Sequence, residues 1–212
     1  MPRIIHAALV MAVAVGATGC KFVKDTPESE KEIAADASGD DARTEQRILD
    51  TYDSKLIPYI SQNAVTVQAL QTALSDGVDG AGAVNGIKSS GGAWNVPVSG
   101  SGKIVATKLD SRARTVSIDI TGDQTADVTV QLGPVVKGTA LRDVAPFYKF
   151  DDFRDQIEFA KLGRALNDRA SSGLELPDGG ILGQTMSFTG VTTFRRANDA
   201  LVVTPIEIEI TQ

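Results

Sequence analysis

Apolar and polar residues alternate along much of the second half of the chain, a pattern typical of half-buried β-strands. The alternating or β-rich segments are residues 103–109, 116–120, 128–132, 186–188 and 206–210. Between the third and fourth segments, apolar residues recur at helical spacing: Phe153, Ile157, Phe159, Ala160, Leu162 and Leu166. The order β-β-β-α-β-β is that of the OB-fold, whose helix lies between strands three and four. We therefore predict an α+β protein with an OB-like five-stranded β-barrel.

A second helical repeat precedes the strands. Apolar residues from Leu49 to Leu74 recur at three- and four-residue steps, and Pro58 in the middle predicts a kink or two helices. We expect a long helix over 44–74, a Gly-rich loop over 75–102 and the barrel over 103–212. Together, residues 44–212 would form a single globular domain.

The strand and helix periods also predict which residues form the core. They place one set on the buried side of each element: Val116, Ile118, Val128, Val130, Phe153, Ile157, Met186, Phe188, Ile206 and Ile208.

The N-terminus has the order of a secretory signal peptide. Arg3 is followed by the apolar run Ala7–Val15 and then by small residues up to Gly19. This run is shorter than the roughly 20 residues that a membrane-spanning helix needs. We predict a signal peptide over residues 1–19.

The only cysteine stands directly after that leader. Ala17-Thr18-Gly19-Cys20 resembles the bacterial lipobox, in which the cysteine is lipidated and becomes the new N-terminus. We predict lipidation of Cys20, a flexible tether over 20–43 and a periplasmic protein held at a membrane by its lipid. Lys21, rather than an aspartate, favours the outer membrane. The alternative is a plain secreted protein with a stray cysteine.

Composition narrows the possible chemistry. The single His and the single Cys, His6 and Cys20, both lie near the N-terminus, so the predicted folded part holds neither. This excludes disulfides, Cys or His zinc sites, thiol nucleophiles and His-based triads there. The net charge of −6 disfavours nucleic acid as a partner. Asp76, Asp79 and Asn85 could suggest a calcium site, but their spacing is not that of an EF-hand loop. We expect no metal and no cofactor.

Two central segments resemble a known family. They are residues 126–143 and residues 150–160 with Ala165-Leu166-Asn167; the start Gly19-Cys20-Lys21 and the close Val203–Ile206 also fit. The chain resembles the predicted bacterial periplasmic lipoproteins of domain-of-unknown-function family 2291. The resemblance implies a lipoprotein without an assigned activity, often encoded beside sugar ABC-transporter genes. A component of such a transporter is therefore the implied partner, and the resemblance supplies no catalytic residues.

The densest stretch of unusual residues is the candidate binding segment. Its members are Gly133, Pro134, Lys137, Gly138, Thr139, Arg142 and Asp143. They form either a ligand or partner surface, with Arg142 as its planar donor, or a bulged strand followed by a structural Arg–carboxylate pair. In the structural alternative, Arg142 would pair with Asp152 or Asp155. Trp94, the sole tryptophan, either covers one end of the core or stacks on a ligand.

Acidic residues cluster at the start of the second helix: Asp151, Asp152, Asp155 and Glu158. Acids are favoured at helix starts by capping and by the helix dipole. Two of them facing one cleft would instead suit a glycoside hydrolase. We predict a non-catalytic binding or accessory module linked to sugar uptake, with a carboxylate-based glycoside hydrolase as the alternative.

Overall fold

The computed structural model describes residues 33–177 and 179–211. The predicted signal peptide, Cys20 and residues 20–32 of the predicted tether lie outside the described residues. Within that range, no helix is both long enough and apolar enough to cross a membrane.

Five long strands form a closed barrel. They are β3 (Trp94–Lys108), β4 (Ala113–Asp119), β5 (Val128–Pro134), β6 (Thr185–Phe194) and β7 (Val202–Thr211). The order around the barrel is β3-β4-β5-β7-β6, and β6 pairs again with β3; β5 and β7 are parallel. Two short strands pair with the first part of β3, on the edge that β6 leaves free: β1 (Val65–Thr66) and β2 (Ile87–Lys88). The predicted OB-like barrel is confirmed.

The first barrel strand begins nine residues before the predicted one, so the predicted loop over 75–102 is wrong for much of its length. It contains the short helix α4 (Val78–Ala83), β2 and the first part of β3. Gly100 and Gly102 suggested a loop, but they permit close packing within the strand. A Cβ on Gly100 would lie 2.7 Å from Phe188 Cζ, and one on Gly102 would lie 2.2 Å from the Asp119 carbonyl oxygen.

The predicted long helix is interrupted twice. It comprises α1 (Asp40–Thr51), a π-helical turn (Tyr52–Leu56), α2 (Ile57–Asn63) and, after β1, α3 (Val67–Asp76). The π turn ends two residues before Pro58, whose missing N–H breaks the regular hydrogen-bond ladder. The second interruption is β1, where Val65 pairs with Val98 of β3 before α3 begins at Val67.

The ordered domain starts earlier than expected. A 3₁₀ turn (Ala37–Gly39) and the first turn of α1 fall within the predicted tether. Asp40 is only 1% exposed and accepts hydrogen bonds from Arg43 and Arg154. These ion pairs order a segment that was predicted to be a solvated tether because its sequence is polar.

Two hydrophobic clusters organise the domain. The first fills the barrel and includes Val96, Ile118, Val130, Met186 and Phe194. The second lies between the helices and the barrel wall, and α6 (Gln156–Ser172) forms much of it. Its members include Leu162 of α6 and, from other elements, Tyr52, Leu141 and Val191. A short helix, α5 (Ala140–Asp143), and a 3₁₀ turn (Phe150–Asp152) connect β5 to α6.

The buried face of α6 differs from the predicted one. Ile157 is 62% exposed, so its predicted core position is wrong, while Glu158 is only 4% exposed. Arg43 Nε and the backbone N–H of Arg154 donate to the two carboxylate oxygens of Glu158, both at 2.7 Å. The helix is therefore rotated so that a paired carboxylate, and not an isoleucine, faces inward. Ile206 and Ile208 are partly buried against the clusters, and the other predicted core residues are buried.

Candidate functional site

The candidate binding segment borders a cleft of about 410 Å³ on the outer wall of the barrel. We call it the Lys137 cleft. Its floor comes from four neighbouring strands, β5, β7, β6 and β3, and its rim comes from residues 137–143 and from Ser89. The lining residues are Ser89, Ala93, Asn95, Gln131, Lys137, Gly138, Thr139, Ala140, Asp143, Thr193, Arg195, Ala200, Val202 and Thr204. Four predicted site residues are thus brought together: Lys137, Gly138, Thr139 and Asp143.

Gln131 fixes the rim of the cleft to the barrel. Its Nε2 donates to the Lys137 carbonyl oxygen and to Thr204 Oγ1, both at 3.1 Å, and its Oε1 accepts from the Lys137 backbone N–H at 2.8 Å. Gln131 is 6% exposed, and each of these bonds satisfies a polar atom in the wall. The backbone of Lys137 is held at two points, and its side chain remains exposed.

Helix α6 holds the same rim from the other side. Asn167 Nδ2 donates to the Gly138 carbonyl oxygen at 2.9 Å, and Gly138 has φ +86°, a backbone conformation that favours glycine. Gly163 allows the rim to approach the helix, because a Cβ there would lie 2.9 Å from Thr139 Cγ2. Residues 138 and 139 are therefore wedged between barrel and helix.

Arg142 pairs with its neighbour and not with the acidic helix start. Its Nε donates to Asp143 Oδ1 at 2.7 Å, and its guanidinium carbon lies 3.8 Å from the centroid of the Phe159 ring. The expected pairing with Asp152 or Asp155 is wrong. Asp155 already accepts the N–H groups of Ile157 and Glu158 as the N-cap of α6, and its other oxygen contacts Arg154. Arg142 and Asp143 also line a neighbouring cleft of about 460 Å³, which shares Ser89 and Asp143 with the Lys137 cleft.

Gly133, Pro134 and Trp94 do not line the Lys137 cleft. Gly133 and Pro134 end β5, where a cis peptide bond joins them and a Cβ on Gly133 would lie 2.5 Å from Ser171 Cβ. Trp94 Nε1 donates to Asp79 Oδ1 at 2.9 Å, and its ring packs on Gly82 and the barrel core.

Two of the four acidic residues at the start of α6 are committed to structural contacts. Asp155 caps α6 and Glu158 is buried in an ion pair, so neither is free to exchange a proton with a substrate. Two other glutamates, Glu207 and Glu209, border a cleft of about 530 Å³. They project from the same face of β7, whereas glycoside hydrolysis needs carboxylates that flank the bond. Among residues 33–177 and 179–211, no three His, Cys, Asp or Glu side chains form a cluster suited to a metal ion.

The charges at the Lys137 cleft are mainly positive. Asp143 is neutralised by Arg142 at 2.7 Å, and Thr139 Oγ1 donates to its other oxygen at 2.6 Å. Lys137 and Arg195 are exposed, and neither side chain forms an ion pair with any described residue. Arg195 is positioned by Asp199, which accepts its backbone N–H at 2.9 Å; this bond and that of Arg196 hold the pKa of Asp199 below its usual value.

Several cleft residues carried no local signal in the sequence. Asn95, Gln131, Thr193 and Thr204 come from four different strands, and Arg195 directly follows β6. Asn95 and Thr193 meet because β6 pairs with β3 and closes the barrel. The one indication of the cleft floor in the sequence is the presence of polar residues, such as Asn95 and Gln131, in strands that are otherwise apolar.

A solved structure shares the fold. An OB-fold protein from Thermotoga maritima MSB8 superposes with a TM-score of 0.55 at 16% sequence identity, covering 80% of this chain and 95% of that chain. At this identity the likeness shows the fold alone. Comparison with curated proteins gives no match.

The family assignment covers nearly the whole chain, including both resembling segments and the rim of the cleft. The family model described as predicted periplasmic lipoprotein (DUF2291) matches residues 10–209. The chain therefore belongs to this family of predicted periplasmic lipoproteins.

Proposed function

We propose that the protein is a non-catalytic binding module, anchored through Cys20 and receiving a small polar ligand in the Lys137 cleft. The observation that best supports this proposal is the cleft itself, which is lined by four residues of the predicted binding segment together with polar residues of the barrel strands. Its walls are fixed by Gln131 and Asn167, and a preformed pocket avoids the ordering cost of binding.

Protection of an introduced thiol tests this proposal. Val202 is 39% exposed and lines the Lys137 cleft, so a Val202→Cys variant places a reactive thiol there. Val84, 69% exposed and outside the clefts described above, gives the matched control Val84→Cys. A dialysable small-molecule extract of the host bacterium should slow maleimide labelling of Val202→Cys in the full-length lipoprotein and leave Val84→Cys unchanged. Equal labelling of Val202→Cys with and without the extract contradicts the proposal.

The anchor has its own test. The lipobox-like position of Cys20 predicts that a Cys20→Ser variant leaves the membrane fraction. Unchanged membrane retention of that variant contradicts lipidation, and fractionation of inner and outer membranes tests the preference that Lys21 suggests.

The partner remains the one that the sequence resemblance implies, a component of a sugar ABC transporter. We expect that component to co-purify with the lipidated protein from membranes and to be lost after Lys137→Glu, which reverses a charge at the cleft rim. Co-purification that is unaffected by this change would show that the transporter component contacts the protein outside the cleft rim.

A further inference from the structure

We infer that the ligand of the Lys137 cleft is a small hydroxylated organic anion, an inference that rests on the proposed function. The geometry combines two cations that form no ion pair with any described residue and three hydroxyl groups whose protons are already donated within the protein. These two features recognise different parts of one ligand.

The cations provide the first part of the argument. Lys137 stands on the rim and Arg195 at the end of β6, and neither forms an ion pair with a described residue. The chain has a net charge of −6, so two unpaired cations at one cleft create a local field opposite to that of the protein as a whole. Because Arg142 already neutralises Asp143, no described carboxylate lining the cleft cancels that field.

The hydroxyl groups provide the second part. Ser89 Oγ donates to the Ala93 carbonyl oxygen at 3.2 Å, Thr139 Oγ1 donates to Asp143 at 2.6 Å, and Thr193 Oγ1 donates to Asn95 Oδ1 at 2.8 Å. Each proton is used within the protein, so each hydroxyl offers a ligand only its lone pairs. Lone pairs accept from hydroxyl groups of a ligand and repel a bare carboxylate or phosphate. The cations therefore favour an anionic group, and the oxygens favour hydroxyl groups beside it.

Four probes separate charge from hydroxylation. Gluconate and glycerol 3-phosphate are hydroxylated anions with a carboxylate and a phosphate; sorbitol is gluconate without the charge, and hexanoate is a carboxylate without hydroxyl groups. The measurement is the ratio of Val202→Cys labelling rates with and without each probe in the full-length lipoprotein. We expect gluconate or glycerol 3-phosphate to protect at concentrations about tenfold or more below sorbitol and hexanoate, since charge-assisted hydrogen bonds are the stronger ones.

Variants at the cations complete the test. Lys137→Gln and Arg195→Gln, made in the Val202→Cys chain, should each weaken protection by the better anion about tenfold, whereas Lys108→Gln, at the C-terminal end of β3, should leave it unchanged. Both replaced side chains are exposed, so unchanged melting temperatures are expected and separate lost binding from lost folding.

Several results would overturn the inference. Sorbitol or hexanoate protecting as well as the better anion removes the need for charge or for hydroxyl groups. Protection by the cell extract but by none of the four probes overturns the ligand class and leaves the proposed function standing. Absence of protection by the extract overturns the proposed function as well.

Discussion

The guanidinium of Arg142 lies over the ring of Phe159, with its central carbon 3.8 Å from the ring centroid, and its Nη1 donates to the Phe159 carbonyl oxygen at 3.2 Å. This contact ties α5 to the first turns of α6. Both the rim of the Lys137 cleft and the neighbouring cleft depend on that junction, since Arg142 also holds Asp143.

Arg142→Lys should therefore reduce the free energy of unfolding by about 1–2 kcal/mol. Lysine keeps the charge but loses the planar stack and the second donor. Chemical denaturation measures the loss, and Arg164→Lys, at an exposed position of the same helix, should change little. If both variants unfold like the unaltered protein, the stack does not stabilise the junction.

Gly163→Ala should destabilise the protein, although alanine is the better helix former by about 1 kcal/mol. The new Cβ would crowd Thr139 Cγ2 at 2.9 Å. Adding Thr139→Ser removes that methyl group, keeps the hydroxyl bonded to Asp143 and should restore much of the lost stability. The control is Gly80→Ala in α4, where nothing lies within 4 Å of the added Cβ. If Gly163→Ala stabilised the protein, Thr139 would have to move away from the added Cβ at little cost, which would contradict tight packing between the rim and α6.

Two isoleucines that the sequence placed together in the core should behave differently. Ile118 is fully buried inside the barrel, so Ile118→Ala should lower the free energy of unfolding by about 2–5 kcal/mol. Ile157 is 62% exposed, so Ile157→Ala should fall within about 0.5 kcal/mol of the unaltered protein. If the two variants lost equal free energy of unfolding in denaturant melts, the result would contradict the exposed position of Ile157 on α6.

Asp40 should contribute to stability in a pH-dependent way. A hydrogen bond from Arg154, with further help from the charges of Lys161 and Arg43, holds the pKa of Asp40 below its usual value. The folded-state pKa is thus below that of the unfolded chain, so this stabilisation is complete above about pH 4 and is lost as the pH falls through the folded-state value. Asp40→Asn should lower stability at neutral pH and make the acid-induced loss shallower. Asp41→Asn, at a neighbouring exposed carboxylate, should cost little at neutral pH; an equal loss there would contradict a special role for Asp40.

The sequence predicted the barrel from β4, β5 and β7 because their alternation is regular and their inward faces are apolar. The predicted strand began at residue 103 and so missed the part of β3 from Trp94 to Gly102. Gly100 and Gly102 are residues typical of a loop, but here they allow close contacts with β6 and β4. The buried face predicted for α6 was wrong because Glu158 pairs with Arg43, which lies 115 residues away along the chain, and such a pair leaves no pattern in the local sequence.

The candidate site was predicted in the same partial way. Residues 137–143 stood out by their local composition, but Arg195 and Asn95 join them only through closure of the barrel between β3 and β6. Gly133 and Pro134 drew the same attention, but Gly133 lies beside Ser171 in the last turn of α6 and neither residue lines the cleft. The local composition of the sequence therefore indicates the rim of the cleft, whereas the floor depends on strand pairing between distant segments.

Amide hydrogen exchange of the full-length lipoprotein, with and without the small-molecule extract, tests the central claim most directly, because it locates binding without any substitution. The account predicts slower exchange on adding the extract in residues 137–143 and 193–204, which carry the rim and much of the floor of the Lys137 cleft. No change anywhere, or slower exchange confined to residues 99–101 and 187–189 at the cleft beside Glu207, would contradict it.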